Sequence, residues 1–446
     1  VLRHTAVRAA AHRSPSPLMY ERRAFSFAHL YVRSPHFLSP AVTSQDLELH
    51  LTRPGSVNNL VVKSRSAPSM QLSGTQVELK VHAAALNFRD VLNVLDLDPT
   101  RTVRPIGLEC AAVVMSVGKR VAHLKSGDPT FGFASGCLST SVRTEARLQA
   151  LMPLSLSFEE ACTLPVVWCT IRHALSECMQ LCAKQSVLIH ATTGGVGLMG
   201  LAFAQYAGVI ASGSVGRPSK VAHLRKLGVA SIWTTRDATA FTFGASVSLV
   251  GRRLHATLSA LTRAFIPSSL ALLNEGSNYL EVGKNNIWSK ERMAAAASCS
   301  PFRLVAVDNK PAEWIQSQLH VLHSKVGAGE VHPLPLAIFK FETATMVYAF
   351  NLLRRGDHIG RYVALIQGPG RARDTPLTES CQHVADEVKC QSAALRIQKE
   401  QQHERTGHAG SRVQLLIEGS TATLQLSDPD HFNAISPGLG EDMLSA

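Results

Sequence analysis

From Gln45 onward the chain sets short apolar runs between glycine and proline signals. Leu79–Ala83, Ala111–Val117 and the stretch around Phe131–Phe133 have the length and residue types of β-strands, so this part reads as strand-rich. Near Phe158 the spacing turns helical, and Phe158-Glu159-Glu160-Ala161-Cys162 leads into a helix over Val166–Gln180. Strands and helices then alternate through Val187–His190, Val196–Tyr206, Val209–Ser212, Lys220–Leu227, Ile232–Trp233, Leu254–Leu258, Ala264–Leu273 and Tyr279–Val282. That order is a βαβ series, which implies a parallel sheet and an α/β fold. Thr343–Arg354 reads as a helix and Tyr362–Ile366 as a returning strand. After Gly368 the apolar periodicity stops; residues 369–411 are polar, with a charged stretch at Gln398–Arg405, and a fresh apolar alternation runs from Val413 through Leu426.

One corner of the βαβ series carries candidate chemistry. The apolar end of a strand at Leu188-Ile189-His190 meets Ala191-Thr192-Thr193-Gly194-Gly195-Val196-Gly197, and a helix follows. Strand, glycine turn and helix in that order form the phosphate-binding corner of a dinucleotide fold. The helix start offers unpaired N–H groups and a positive dipole end to an anion. Tight turns use glycine for many purposes, so the turn alone leaves nucleotide binding open.

Composition narrows the classes. At 446 residues, 45% hydrophobic and 17% charged, the chain is an ordinary globular protein of two or three domains. Its net charge of +12 is unevenly placed: residues 1–45 hold six arginines against Glu21, which accounts for +5. The remainder is spread thinly, without a dense basic run, which argues against nucleic acid as a partner. Residues 1–45, poor in acids and rich in Arg, Ser, Ala and His, have the composition of a transit peptide or of a basic linker. The nine cysteines include no C-x-x-C pair, and an odd count in so long a chain fits a reducing, cytoplasmic compartment. No apolar run reaches the roughly 18 residues that a membrane-spanning helix needs. The start at Val1 suggests a slice of a longer polypeptide.

Several segments together resemble a known family. Ala85-Leu86-Asn87-Phe88-Arg89-Asp90-Val91-Leu92, Leu164-Pro165-Val166-Val167, Leu188–Gly197, Thr234-Thr235-Arg236-Asp237, Glu281-Val282-Gly283-Lys284 and His358-Ile359-Gly360-Arg361 are similar to the enoyl reductase domains of modular polyketide synthases. Those domains belong to the medium-chain dehydrogenase/reductase superfamily, beside quinone oxidoreductases. The match spans about residues 48–367 in the family's motif order. It implies a β-rich GroES-like substrate domain, residues 46–165 and 336–367, split around a Rossmann domain with a doubly wound parallel sheet, residues 166–335. The active site would lie in the cleft between them. The implied reaction is reduction of a 2-enoyl thioester held by phosphopantetheine on an acyl carrier protein, inside a polypeptide with other synthase domains. A free-standing quinone oxidoreductase and a non-catalytic structural domain are the alternatives. At the far end, Glu418–Pro429 and Phe432-Asn433-Ala434-Ile435-Ser436 resemble the opening of a crotonase-like domain over 412–446, in which the Ala434 N–H would help form an oxyanion hole.

The resemblance also assigns residues. Thr193, Gly194, Gly195, Val196 and Gly197 would hold a cofactor pyrophosphate, with Ser214, Gly283, Lys284 and Arg361 completing the cofactor site. Lys220 and Asp237 match the positions proposed as the proton source, and Asn87 would reach the acyl carbonyl or the nicotinamide ribose. Where zinc-dependent relatives place ligands, this chain has Asn87 and Leu108, so no metal is expected. The segment Ser212–Lys220 decides the cofactor: it has no acid for ribose hydroxyls but carries Arg217 and Lys220, with Arg236 nearby, which points to the 2′-phosphate of NADPH. Departures from the family's wording are Ser259 in place of an asparagine, Pro129-Thr130 at a strand start, and Asp98 where some members carry tyrosine.

Overall fold

The computed structural model describes residues 46–65, 71–97, 104–283 and 287–367, and the backbone of Val413–Glu418 and Thr421–Leu426. The chain divides between Gln382 and His383, and each unit is taken by itself.

In the first unit, β1 (Leu47–Leu51) and β2 (Leu60–Ser64) make an antiparallel pair. Next come β3 (Gln76–Ala85), helix α1 (Phe88–Val94), β4 (Glu109–Val117), β5 (Pro129–Phe133), β6 (Ser141–Glu145) and β7 (Gln149–Leu151). Alternation sets the inward face of β3 up to the irregularity after Val81: Val77, Leu79 and Val81 are fully buried in one core. Pro129 opens β5, the strand position that best tolerates a missing N–H.

Two helices lead out of this part, α2 (Phe158–Ala161) and α3 (Pro165–Ile171). Ser157 and Glu160 form a capping box at the start of α2. The single helix expected over Val166–Gln180 is instead α3 followed by a π-helical segment, Arg172–Cys178. Apolar spacing could not distinguish the two, because a π turn adds one residue without changing which side chains are apolar.

The alternating region follows as β8 (Ser186–Ile189), α4 (Gly195–Tyr206), β9 (Ile210–Val215), α5 (Pro218–Lys226), β10 (Ile232–Thr234), α6 (Ala238–Leu249), β11 (Leu254–Ser259), α7 (Phe265–Leu270), β12 (Leu273–Glu281), α8 (Lys290–Ala296), β13 (Phe302–Leu304) and α9 (Ala312–Gly327). Its six strands run parallel in the order β10-β9-β8-β11-β12-β13, a doubly wound sheet that reverses direction beside β8. The chain then returns through β14 (Leu336–Lys340), α10 (Thr343–Arg355) and β15 (Arg361–Leu365). These strands join the first sheet, in the order β14-β15-β3-β4-β5-β7 with β6 also on β3. Thus a parallel sheet is inserted into the sequence of a mostly antiparallel one. One apolar core, running from Phe131 and Phe158 through Val167 to Ile189, Leu258 and Leu322, is shared by both.

Helices α6 and α9 fall where no helix was expected. In α9 the signal was present, since Ile315, Leu319, Leu322 and Val326 make one buried stripe at helical spacing. In α6 it was obscured: Phe241, Ala245 and Leu249 are buried while Phe243 and Val247 are exposed, so apolar residues cover both faces.

In the second unit the described residues form one antiparallel hairpin, Val413–Glu418 paired with Thr421–Leu426. The Phe432–Ser436 motif lies outside the described residues, as do residues 1–45 and 369–411. Among the described residues no helix is long and apolar enough to cross a membrane.

Candidate functional site

The C-terminal ends of β8, β9 and β11 open onto a cleft of about 1130 Å³ that also takes its wall from α1 and from the α10–β15 connection. This is the crevice where open parallel sheets place ligands, at the reversal of strand order.

The turn from β8 to α4 forms its floor. Ala191, not a glycine, is the left-handed residue there (φ 48°), and its carbonyl accepts the Gly194 N–H at 2.9 Å. The glycines serve close approach. A Cβ on Gly197 would meet the Ala191 carbonyl and the Thr192 backbone at 2.6 Å, and one on Gly195 would meet Arg361 Cδ at 2.4 Å. Gly194 differs: a Cβ there would find only ordinary contacts, 3.4 Å to the Ala191 carbonyl and 3.9 Å to His358 Nε2. Nothing inside the protein demands its bare backbone, and it caps α4 facing the cleft. The first N–H groups of α4, from Gly195 to Gly197, have no intrahelical acceptor by geometry.

Cations gather near this floor. Lys220, on α5, is buried and its Nζ donates to the Gly356 carbonyl at 2.7 Å. Burial, with Arg217 and Arg236 nearby, pulls its pKa below the usual lysine value, against the pull of Asp357. Arg236 donates to the Gly216 carbonyl at 2.9 Å and lines the cleft. Arg263, Arg354 and Arg355 line it as well, cations that no motif had flagged because their separation in sequence hides their common wall. Two expected residues stand elsewhere. Arg217 precedes α5, is paired with Asp357 and is not part of the cleft wall. Ser214 is fully buried, with its hydroxyl at 2.9 Å from His190 Nδ1, so its side chain cannot reach a cofactor without leaving that partner.

Asp237 has a visible local task. It is the N-cap of α6, and its carboxylate accepts the Ala240 N–H at 2.6 Å at an exposed position on the cleft wall. Gly283 lines the cleft and donates its N–H to Glu281 at 2.7 Å. Lys284 and Asp98 lie outside the described residues. Ser259 ends β11 with its hydroxyl accepting from Tyr279 at 2.9 Å, which ties it to the sheet interior.

Asn87 and Arg361 meet at a buried centre organised by Glu109, a residue that received no role from sequence. Glu109 on β4 is fully buried and accepts from Arg361, from the Asn87 amide at 3.0 Å and from the Val166 N–H at 2.8 Å. Arg361 also donates to the Asn87 carbonyl oxygen at 3.2 Å. The Asn87 amide is therefore committed on both sides within the protein, although the residue lines the cleft, and Arg361 is held as half of a buried ion pair. Asp90 caps the same corner, accepting the Asn87 and Gly107 N–H groups at 2.9 Å each. Burial nevertheless raises its pKa to about 6.

Two cleft histidines were also missed. His190 is fixed between the hydroxyls of Ser214 and Ser269, at 2.9 and 2.8 Å, and burial lowers its pKa to about 3. His358 is held at about 4 by burial and by the charges of Lys220 and Arg361. Both are neutral at pH 7, so neither offers an imidazolium proton.

The comparisons with known proteins agree with this architecture. Residues 73–170 match the alcohol dehydrogenase GroES-like domain. The spectinabilin polyketide synthase system protein NorB of Streptomyces orinoci is 33% identical over 316 residues, 69% of this chain but 14% of that protein. The chain thus spans about a seventh of the length of such relatives. The crystal structure of the CurK enoyl reductase superposes with a TM-score of 0.67 at 28% identity, covering 72% of this chain and 99% of that one. The Escherichia coli quinone oxidoreductase complexed with NADPH shares the fold, with a TM-score of 0.65 at 19% identity, covering 72% of this chain and all (100%) of that one. A GroES-like domain with an inserted parallel-sheet domain is thus the fold this chain shares with enoyl reductases and quinone oxidoreductases of the medium-chain dehydrogenase/reductase type, and its sequence is similar to polyketide synthases.

Proposed function

We propose that this domain reduces a 2-enoyl thioester with NADPH, as the enoyl reductase of a polyketide synthase whose acyl carrier protein presents the substrate. The observation that carries the reading is Gly194: an N-cap glycine with internal room for a side chain, facing the cleft at a helix start. A phosphate approaching the α4 N-terminus needs that bare face. The absence of an acid from Ser212–Lys220, with Lys220 and Arg236 on the cleft wall, favours a cofactor with a 2′-phosphate.

When bound, NADPH supplies the hydride for the β-carbon of the enoyl group. This chain's own residues bind, orient and stabilise. Gly195, Val196 and Gly197 present backbone N–H groups to the pyrophosphate, Gly194 gives it a bare face to approach, and the Thr193 carbonyl braces the turn by accepting the Gly360 N–H at 2.8 Å. Lys220 and Arg236 hold the 2′-phosphate side, which requires Lys220 to exchange its Gly356 contact for the ligand. Asn87, Glu109 and Arg361 fix the substrate-domain wall opposite the turn. Proton delivery to the α-carbon falls to Lys220 or to water, since Asp237 is occupied as a helix cap. Residues 46–165 and 336–367 serve as the substrate domain and 166–335 as the cofactor domain.

Fluorescence titration with NADPH and NADH, followed by NADPH oxidation assays with crotonyl thioester and with a quinone, tests this reading. NADPH should bind at least tenfold more tightly, since each lost charge-assisted phosphate contact costs about 1.5–3 kcal/mol, and the thioester should be reduced. Equal affinities would overturn the cofactor assignment. Turnover of the quinone alone would overturn the substrate assignment.

A further inference from the structure

Phe88, the first residue of α1, is 54% exposed, and Leu97 just beyond the helix is 45% exposed, yet both belong to the cleft wall. Phe88, Val91, Leu92 and Leu95 stand at i, i+3, i+4 and i+7, so one apolar stripe of α1 lines the cleft. Its inner members are buried: Val91 at 0% and Leu92 at 6% exposure. Its outer members are large apolar groups left in contact with water, which the fold itself gains nothing from.

The segment Val305–Val307 lines the same cleft, and Arg89 beside Phe88 is paired with Asp308 beside Val307. That ion pair ties the start of α1 to the end of the apolar Val305–Val307 segment on the one cleft. The cleft, at about 1130 Å³, exceeds the roughly 300–1,000 Å³ typical of a single small-molecule site, so a second molecule fits beside a cofactor.

Building on the reductase reading, we infer that the α1 stripe and Val305–Val307 form a channel for the tail of the acyl chain, with Phe88 and Leu97 selecting long, unfunctionalised chains over short or hydroxylated ones. A methylene fully withdrawn from water is worth about fourfold in binding, and a hydroxyl carried into an apolar channel without a partner forfeits that gain.

The test is calorimetric binding of S-acyl pantetheines with saturated chains of four, six, eight and ten carbons, plus an eight-carbon chain bearing a δ-hydroxyl, to the NADPH-loaded protein. Kd should fall about two- to fourfold per added methylene, and the hydroxylated chain should bind no better than the six-carbon one. Phe88→Ser with Leu97→Ser should cut the ten- to four-carbon affinity ratio at least tenfold. Because both residues are exposed, a thermal melt should show an intact fold; if it does not, the wild-type length series decides. A Kd independent of chain length, or equal binding of the hydroxylated chain, overturns the channel. Length-dependent binding without reduction of any enoyl thioester would keep the channel and overturn the reductase reading.

Discussion

Lys220 and Asp237 share a motif-level assignment, but their surroundings separate them. Asp237 spends its carboxylate on the Ala240 N–H, whereas Lys220 Nζ is buried on the cleft wall with a single backbone acceptor. Asp237→Asn keeps a good N-cap and should leave stability, rate and product stereochemistry near wild type, while Asp237→Ala should cost about 1 kcal/mol of stability. Lys220→Ala should raise the KM for NADPH and leave NADH kinetics unchanged if the ammonium serves the 2′-phosphate. A fall in kcat of about 10²-fold or more with both cofactors would mark it instead as the proton donor. Steady-state kinetics, solvent isotope effects and denaturant melts of the three variants decide between these outcomes.

At the scale of one element, the start of α4 combines two demands that sequence merges into a single glycine run. Gly197 is required by the fold, since a Cβ would press on backbone at 2.6 Å, whereas Gly194 is required only by what enters the cleft. Gly194→Ala should therefore lose no more than the roughly 0.5–1 kcal/mol of a poorer N-cap but bind NADPH at least tenfold more weakly. Gly197→Ala should lose about 1–3 kcal/mol of stability through overpacking, whatever it does to binding. Thermal melts paired with cofactor titrations give both numbers, and equal stability losses in the two variants would refute the division.

Across the whole molecule, buried titratable groups set opposing pH dependences. His190, His82 and His358 have folded pKa values lowered from 6.5 to about 3, 4 and 4 by burial. The unfolded chain binds their protons first, so stability is lost as pH falls below about 6.5. Glu281 behaves oppositely. Its pKa is raised by burial from 4.5 to about 7, so its contribution is fully present below 4.5 and is lost as pH rises through 7. Glu281→Gln keeps an acceptor for the Gly283 N–H and removes that opposing dependence. Chemical denaturation between pH 7 and 4.5 should show the variant losing about 3 kcal/mol more than wild type, with the variant the more stable protein at pH 8. Parallel curves would show that Glu281 ionises normally in the folded state.

Local patterning determined much of this protein. Short β-like apolar runs between glycine and proline signals gave β3 and β4, the βαβ order gave the parallel sheet, and the glycine turn at Gly194–Gly197 marked the crevice, because residue type, period and turn chemistry act between neighbours in the chain. Even α9 was legible in its Ile315, Leu319, Leu322 and Val326 stripe. Only the tertiary structure decided what depends on distant partners. Glu109 and Arg361 are 252 positions apart, yet they form the ion pair that commits Asn87 and forces Gly195 to be bare. Lys220 meets Gly356 across 136 positions, and Phe88 becomes a cleft wall only when Asp308 folds back to Arg89. A residue's spacing reports which face it occupies; what stands opposite that face is set by packing between elements, which no local period records.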